Sequence, residues 1–219
     1  MSRTKYTEVM TKTEYIDKTF QKIEEVTSGD FVTIRGFDDI PHNSSTKDDI
    51  DVLILRRYIP KLTEELHEMG YFHHNDQLQY LYGAEPHIHF ENRDMDVHFD
   101  IVTGLYYRSS NDLNLFVKIN DQLTYSMLNN RVKVDKIWRY QPTAEDEIVH
   151  LCCHAIFDKR LVKPKYSDRI REILPKCDKE KLKILLDDAF FRVSDTILET
   201  IENDKIEEIY KKYISFIDY

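Results

Sequence analysis

The stretch Asp48-Asp49-Ile50-Asp51-Val52-Leu53-Ile54-Leu55 constrains this chain more than any other. Its apolar residues run together, as in a central strand covered on both faces. Strand side chains alternate with a period of 2, so Asp49 and Asp51 project from the same side where that strand begins. Two carboxylates on a face that is being buried are costly without a cation. A divalent metal offsets that cost, and Mg²⁺ is the usual ion where phosphates are also bound. Solvated acids at a strand end are the competing reading.

Around this strand the pattern is α+β. Tyr15, Ile16, Phe20, Ile23 and Val26 keep helical spacing over residues 13–26, and Ser28-Gly29-Asp30 ends that helix. Phe31-Val32-Thr33-Ile34 reads as a short strand running into Arg35-Gly36, and residues 37–47, with Pro41 and Asn43-Ser44-Ser45, as a loop. Pro60 opens a second helix carrying Leu62, Leu66 and Met69 up to Gly70. Leu78 to Tyr82 and His87 to Phe90 are expected to be strands joined through Gly83-Ala84-Glu85-Pro86, with a third from Met95 to Ile101. Residues 111–140 read as mixed strand and loop around Trp138. The character changes after Gln141-Pro142-Thr143. Thr143 and Asp146 form an N-cap pair, and helical patterns continue through 170–174, 182–191, 193–201 and 206–217. The expectation is a mixed-sheet domain flanked by helices over residues 1–141, followed by a helical domain over 142–219.

With 41% hydrophobic and 32% charged residues the chain is expected to be globular, and only 5 Gly and 6 Pro argue against long linkers. No run of 18 apolar residues offers a membrane span, and Met1 to Lys5 lead into polar sequence. The cytoplasm is therefore the expected compartment. Cys152, Cys153 and Cys177 have no metal or disulfide spacing and read as small hydrophobes. A net charge of −9 speaks against extensive non-specific binding of nucleic acid. Between Ile156 and Arg171, however, Lys159, Arg160, Lys163, Lys165, Arg169 and Arg171 face only Asp158 and Asp168. Such a segment suits a small polyanion, or is simply a solvated face.

Three neighbours add weight to Asp49-Ile50-Asp51. Gly36 lets backbone approach a phosphate closely and Arg35 can pair with one. Asp94, Asp96, His98 and Asp100 fall on one face of a later strand. The basic segment after His154 can meet a triphosphate. Two carboxylates with a third from a neighbouring strand are what two-metal phosphoryl transfer requires, one ion gripping the triphosphate and the other activating a hydroxyl. Asp96 is the expected third acid, and Asp94 or Asp100 replaces it if the register differs. The histidines His73, His74, His87, His89 and His98 allow a zinc or iron site, or a polar face looking into the cleft. His154 and its neighbour Cys153 point about 100° apart on a helix, which excludes a thiol-imidazole dyad.

A helix, a strand ending in a glycine turn, an acid-apolar-acid strand and a later third acid together resemble the nucleotidyltransferase superfamily that shares the polymerase-beta catalytic fold. The matching residues are Gly36, Asp49, Asp51 and Asp96. More narrowly, Ile34-Arg35-Gly36-Phe37-Asp38-Asp39-Ile40-Pro41 before Asp49-Ile50-Asp51 is similar to an uncharacterised bacterial nucleotidyltransferase family often linked with surface-polysaccharide genes. Met95-Asp96-Val97-His98 and the helical stretch ending His154-Ala155-Ile156-Phe157-Asp158-Lys159 continue that likeness over roughly residues 14 to 175.

The resemblance implies a Mg²⁺- or Mn²⁺-dependent enzyme that moves a nucleoside monophosphate from an NTP to a hydroxyl or phosphate of an acceptor. Asp49, Asp51 and Asp96 would hold metal, and Arg35, Gly36, Lys47, Lys159 and Lys165 the nucleotide. Size and charge favour a small-molecule acceptor over nucleic acid, with no membrane partner; a polysaccharide precursor is suggested by the likeness alone. The superfamily usually places a small residue, commonly serine, after the turn glycine. Phe37 stands there, so Arg35, Ser44, Ser45 or Lys47 takes over that phosphate contact, or the nucleotide binds weakly. Three alternatives follow: a catalytically degenerate binding module of the same fold, a toxin-type enzyme acting on RNA or protein, and an assembly protein that oligomerises through its helical tail.

Overall fold

The computed structural model describes residues 10–41, 49–75, 79–80, 84–109 and 114–217. The chain opens with helix α1 (Lys12–Thr27), started by a capping box in which Thr11 and Glu14 satisfy each other's backbone N–H. Its buried stripe of Tyr15, Ile16, Thr19, Phe20, Ile23 and Thr27 follows the 3.6 period. Ser28 and Gly29, both at positive φ, stop the helix. Strands β1 (Phe31–Thr33) and β2 (Ile50–Ile54) follow, then α2 (Ile59–Glu68) with Pro60 in its first turn. Next come β3 (Phe72–Asn75), β4 (Gln79–Tyr80), β5 (Ile88–Asn92), β6 (Val97–Val102), β7 (Tyr106–Arg108) and β8 (Leu115–Lys118). Helix α3 (Asp121–Asn129) precedes the short strands β9 (Val132–Lys133) and β10 (Tyr140–Gln141). The remainder is helical: α4 (Ala144–Cys153), a π-helical turn (His154–Lys159), α5 (Pro164–Ile173), α6 (Lys179–Phe190), α7 (Ser194–Glu202) and α8 (Ile209–Ile217).

The architecture is therefore α+β. Five strands form a mixed sheet in the order β1-β2-β6-β5-β3, in which β2 and β6 run parallel and the other neighbours antiparallel. Alternation along β2 sends Ile50, Val52 and Ile54 to one face, where they join Phe31, Phe90, Phe99 and Ile101 under Ile16, Phe20 and Ile23 of α1 and Leu62 and Leu66 of α2. Leu53 goes to the other face and packs with Val32, Val102 and the apolar sides of α3, α4 and the later helices. Complete burial of side chains such as Phe20 or Leu53 contributes roughly 1.5–3 kcal/mol each. Asp51 lies on the same face as Leu53, so the helical region covers the sheet beside the acids, not behind them.

Strands β4 and β5 fall where the two consecutive strands were expected, but they do not pair with each other: Gln79–Tyr80 lies parallel to β8, and β5 lies between β3 and β6. Apolar alternation marks a strand but not its partner. Of the strand expected over 78–82, residues 78, 81 and 82 lie outside the described residues. One expectation fails: α3 occupies part of the stretch read as strand and loop. It is capped by the Asn120 side chain and buries Leu123, Thr124, Met127 and Leu128, a short stripe easily lost between polar neighbours. The helix starting after Thr143 forms as expected, with Thr143 accepting from the Asp146 N–H. Among the described residues no helix is long and apolar enough to cross a membrane.

Candidate metal and nucleotide site

Parallel pairing of β2 with β6 sets Asp51 abreast of Asp100. Asp49, one residue before β2, is exposed, while Asp51 and Asp100 are buried. One carboxylate oxygen from each lies within 4.8 Å of the others. The third acid of this cluster is thus Asp100 and not Asp96. Asp96 sits before β6 in the turn over 93–96, at φ +50°, with its half-exposed carboxylate 3.4 Å from Lys12 Nζ. Asp94 is in the same turn and exposed. Both share the parity of Asp100, so strand alternation could not separate them; the inter-strand register does.

The triad fits a hard divalent cation. It offers oxygen donors alone, as Mg²⁺ and Mn²⁺ prefer. Asp100 Oδ2 is 3.0 Å from His87 Nδ1, while its buried Oδ1 has no hydrogen-bond partner among the described residues. His89 Nδ1 stands 4.0 Å from that Oδ1, too far for a hydrogen bond; a buried carboxylate oxygen without one is costly, and a cation would supply the missing interaction. Burial pushes Asp51 upward, with Asp49 and Asp100 adding to the rise, while the Arg35 guanidinium pulls it down. For Asp100 burial also acts upward, but the hydrogen bond with His87 and the imidazoles of His87 and His89 outweigh it and bring the group below the usual carboxylate range.

Arg35, which follows β1, grips Asp51 with two nitrogens: Nε to Oδ2 at 2.7 Å and Nη2 to Oδ1 at 2.9 Å. Its third nitrogen, Nη1, lies at the edge of the His154 ring, 2.7 Å from Nε2 and 2.8 Å from Nδ1, and His154 Nδ1 is 2.6 Å from Asp158 Oδ2. With the proton on Nδ1, His154 donates to Asp158 and accepts from Arg35. Burial, aided by repulsion from Arg35, pushes His154 down to about 4, consistent with that neutral form. Burial opposes the charge on Arg35 as well, yet attraction to Asp51 prevails and keeps the guanidinium protonated. Asp158 also accepts from the Arg108 backbone N–H at 2.8 Å. An unbroken polar chain therefore runs from β2 through β1 to the π-helical turn. Cys153 takes no part; burial holds its thiol well above the ordinary range.

On the far side of Asp100 the histidines align. The register places Asp51, Asp100, His89 and His74 in one row across β2, β6, β5 and β3. His89 Nδ1 is 3.0 Å from His98 Nε2. The metal-compatible group among the described residues is made of Asp49, Asp51 and Asp100.

A cavity of about 410 Å³ opens in front of the acids. Its lining brings Asp49, Asp51, Arg35 and Gly36 together with Lys159, Lys163 and Lys165, and also includes Asp38, Asp39, Glu147 and Arg169. Lys159 is depressed by burial and by repulsion from Arg35 and Lys163. The positive end of α5 starts between Lys163 and Lys165. Gly36 adopts φ +64°, and a Cβ there would meet nothing within 4 Å, so its backbone stands open to the cavity. Lys47, Ser44 and Ser45 lie outside the described residues. A larger cleft of about 600 Å³ is lined by Arg56 and Glu85, 2.6 Å apart, with Pro60, Asn75 and Thr103, and has no such acid cluster.

Phe37 is a core residue. It is buried, packs on Trp138 with ring centroids 5.8 Å apart, and lies under the Arg169 guanidinium at 5.4 Å. Arg169 in turn holds Glu147 through two nitrogens at 2.7 and 3.0 Å and reaches Asp38 at 3.0 Å. The residue where a small side chain was expected thus pins the glycine turn to the helical region. Arg171 is likewise engaged, with Asp204 and Glu207. Sequence reasoning did not single out His154, Asp158 or Glu147 as site-building residues, and it placed Arg169 in the basic segment without its partners Glu147 and Phe37. The spacing of His154 and Asp158, four apart on a helical segment, was the one available signal. Compared with known proteins, the chain matches no protein-family model, and no curated protein is similar to it.

Proposed function

We propose that this chain is a Mg²⁺- or Mn²⁺-dependent nucleotidyltransferase. It would transfer a nucleoside monophosphate from an NTP to a hydroxyl or phosphate of a small acceptor. The observation that supports the reading is one cavity lined by Asp49 and Asp51 and by Lys159, Lys163 and Lys165, with Asp100 beside Asp51. Asp49, Asp51 and Asp100 would hold the metal, which when bound neutralises phosphate charge and lowers the pKa of an attacking hydroxyl. The lysines and the open backbone at Gly36 would hold the phosphates. Fixed charges aimed at a reacting phosphoryl group need no rearrangement during the reaction. His87, hydrogen-bonded to Asp100, keeps that carboxylate oriented.

The test is pyrophosphate release from each labelled NTP with Mg²⁺ or Mn²⁺ over a panel of sugar phosphates and other hydroxyl acceptors. Outer-shell changes at metal sites cost 10- to 100-fold, so Asp51→Asn and Asp100→Asn should each lose roughly 100-fold or more. Asp96→Asn should stay within about twofold of the wild type, its carboxylate being a half-exposed surface partner of Lys12. Release that survives Asp51→Asn and Asp100→Asn unchanged refutes the assignment. The second reading, a nucleotide-binding module without turnover, draws on the Arg35 contacts to both Asp51 oxygens. Metal-dependent NTP binding without pyrophosphate from any acceptor would favour it.

A further inference from the structure

Arg35 occupies the carboxylate that a metal needs. Both Asp51 oxygens accept from it, at 2.7 and 2.9 Å, and the Asp51 side chain is only 7% exposed. A carboxylate has about four lone-pair positions, and burial leaves little approach to those that Arg35 does not take. Guanidinium and divalent cation therefore compete for one group. The guanidinium has a second use nearby, since it lines the same cavity as Lys159, Lys163 and Lys165, and its planar fork matches a phosphate as well as a carboxylate. His154, fixed by Asp158, holds Nη1 independently of Asp51.

We propose that Arg35 is an internal counter-ion that keeps Asp51 engaged until a divalent cation arrives with its nucleoside triphosphate, so that metal alone binds weakly and the two ligands bind together. This rests on the nucleotidyl-transfer reading and adds its order of assembly. The nucleotide supplies phosphate oxygens for the guanidinium at the moment the metal claims Asp51. By linkage, the factor by which nucleotide tightens metal equals that by which metal tightens nucleotide. The empty site meanwhile carries a built-in cation against the repulsion of Asp49, Asp51 and Asp100.

The experiment is Mn²⁺ binding to the full chain followed by electron paramagnetic resonance, with and without the α,β-methylene analogue of each NTP. In the wild type an analogue should tighten Mn²⁺ at least tenfold. Arg35→Met removes charge and hydrogen bonds; Arg35→Lys keeps the charge but cannot engage both Asp51 oxygens in the same planar fork. Both should tighten Mn²⁺ binding without nucleotide by tenfold or more and shrink the effect of the analogue. Wild-type Mn²⁺ affinity in both variants overturns the counter-ion role while leaving the metal site standing. Tightening in Arg35→Met but not in Arg35→Lys also overturns it, because the field of the charge would then suffice without occupancy. Absence of Mn²⁺ binding in every form, with or without analogue, overturns the metal reading and this proposal with it. If Arg35→Met loses its folded circular dichroism, Arg35→Lys still decides.

Discussion

The pair formed by Arg35 and Asp51 makes a prediction about stability that needs no knowledge of substrate. Two parallel hydrogen bonds join side chains that are 23% and 7% exposed. At about 4 Å between charges and an effective dielectric near 20, their attraction is of order 4 kcal/mol, similar to the cost of drying both groups. Removing one partner leaves that cost uncompensated, so Arg35→Met or Asp51→Leu should each destabilise by about 3–5 kcal/mol. Replacing both with apolar residues removes cost and attraction together, so Arg35→Met/Asp51→Leu should lie within about 2 kcal/mol of the wild type. The assay is urea unfolding in EDTA at pH 7.5, metal being excluded because a ligand of the native state would raise apparent stability. Asp49 and Asp100 remain beside Arg35 in Asp51→Leu, which should make that single variant the milder of the two. Single-variant costs that add to the double within about 0.5 kcal/mol would refute the account, since groups in contact must couple.

Two further predictions concern the joint between sheet and helices. His154 falls from 6.5 in the unfolded chain to about 4 in the folded one, so its contribution is fully present above pH 6.5 and is lost as pH falls toward 4, roughly 3 kcal/mol in all; urea midpoints from pH 7 to 4.5 should fall more steeply for wild type than for His154→Asn, and equal slopes would refute it. Phe37→Ser, which places a small residue after the glycine turn, should cost about 3–5 kcal/mol because it empties a core position against Trp138, a drop of roughly 6–20 °C in Tm for a chain of this size; an unchanged Tm would show that the turn is anchored elsewhere.

Much of the fold was legible because its signals are local. The stop at Ser28-Gly29 and the Thr143 cap, both read from the sequence, are each contained within four residues. The acid-apolar-acid strand also formed as its alternation required, with Asp51 and Leu53 on one face and Val52 on the other. What failed is non-local. Asp94, Asp96 and Asp100 are equivalent in parity, and only the pairing of Asp51 with Asp100, across 49 positions of chain, separates them. The role of Arg35 was invisible for the same reason, since its partners Asp51 and His154 lie 16 and 119 residues away. Phe37 was read against a family pattern, whereas its environment is set by Trp138 and Arg169, both far along the chain.

The distribution of charge around the cavity narrows what can bind there. The cavity is lined by Asp49 and Asp51 together with Arg35, Lys159, Lys163 and Lys165, so charges of both signs meet in one space. A simple anion would be drawn to the lysines and opposed by the acids, a bare cation the reverse, and in a partly buried cavity water screens that repulsion poorly. A ligand carrying both charges, such as a metal-bound triphosphate, diphosphate or sugar diphosphate, would satisfy both sets at once. Under the proposed function the cavity would favour the complex over its parts, and the Arg35 contact would act in the same sense. Competition between inorganic triphosphate and NTP, measured with and without Mn²⁺, separates the two influences. Triphosphate that competes equally well without metal would mean that the lysines alone set affinity, and the argument from divided charge would fail.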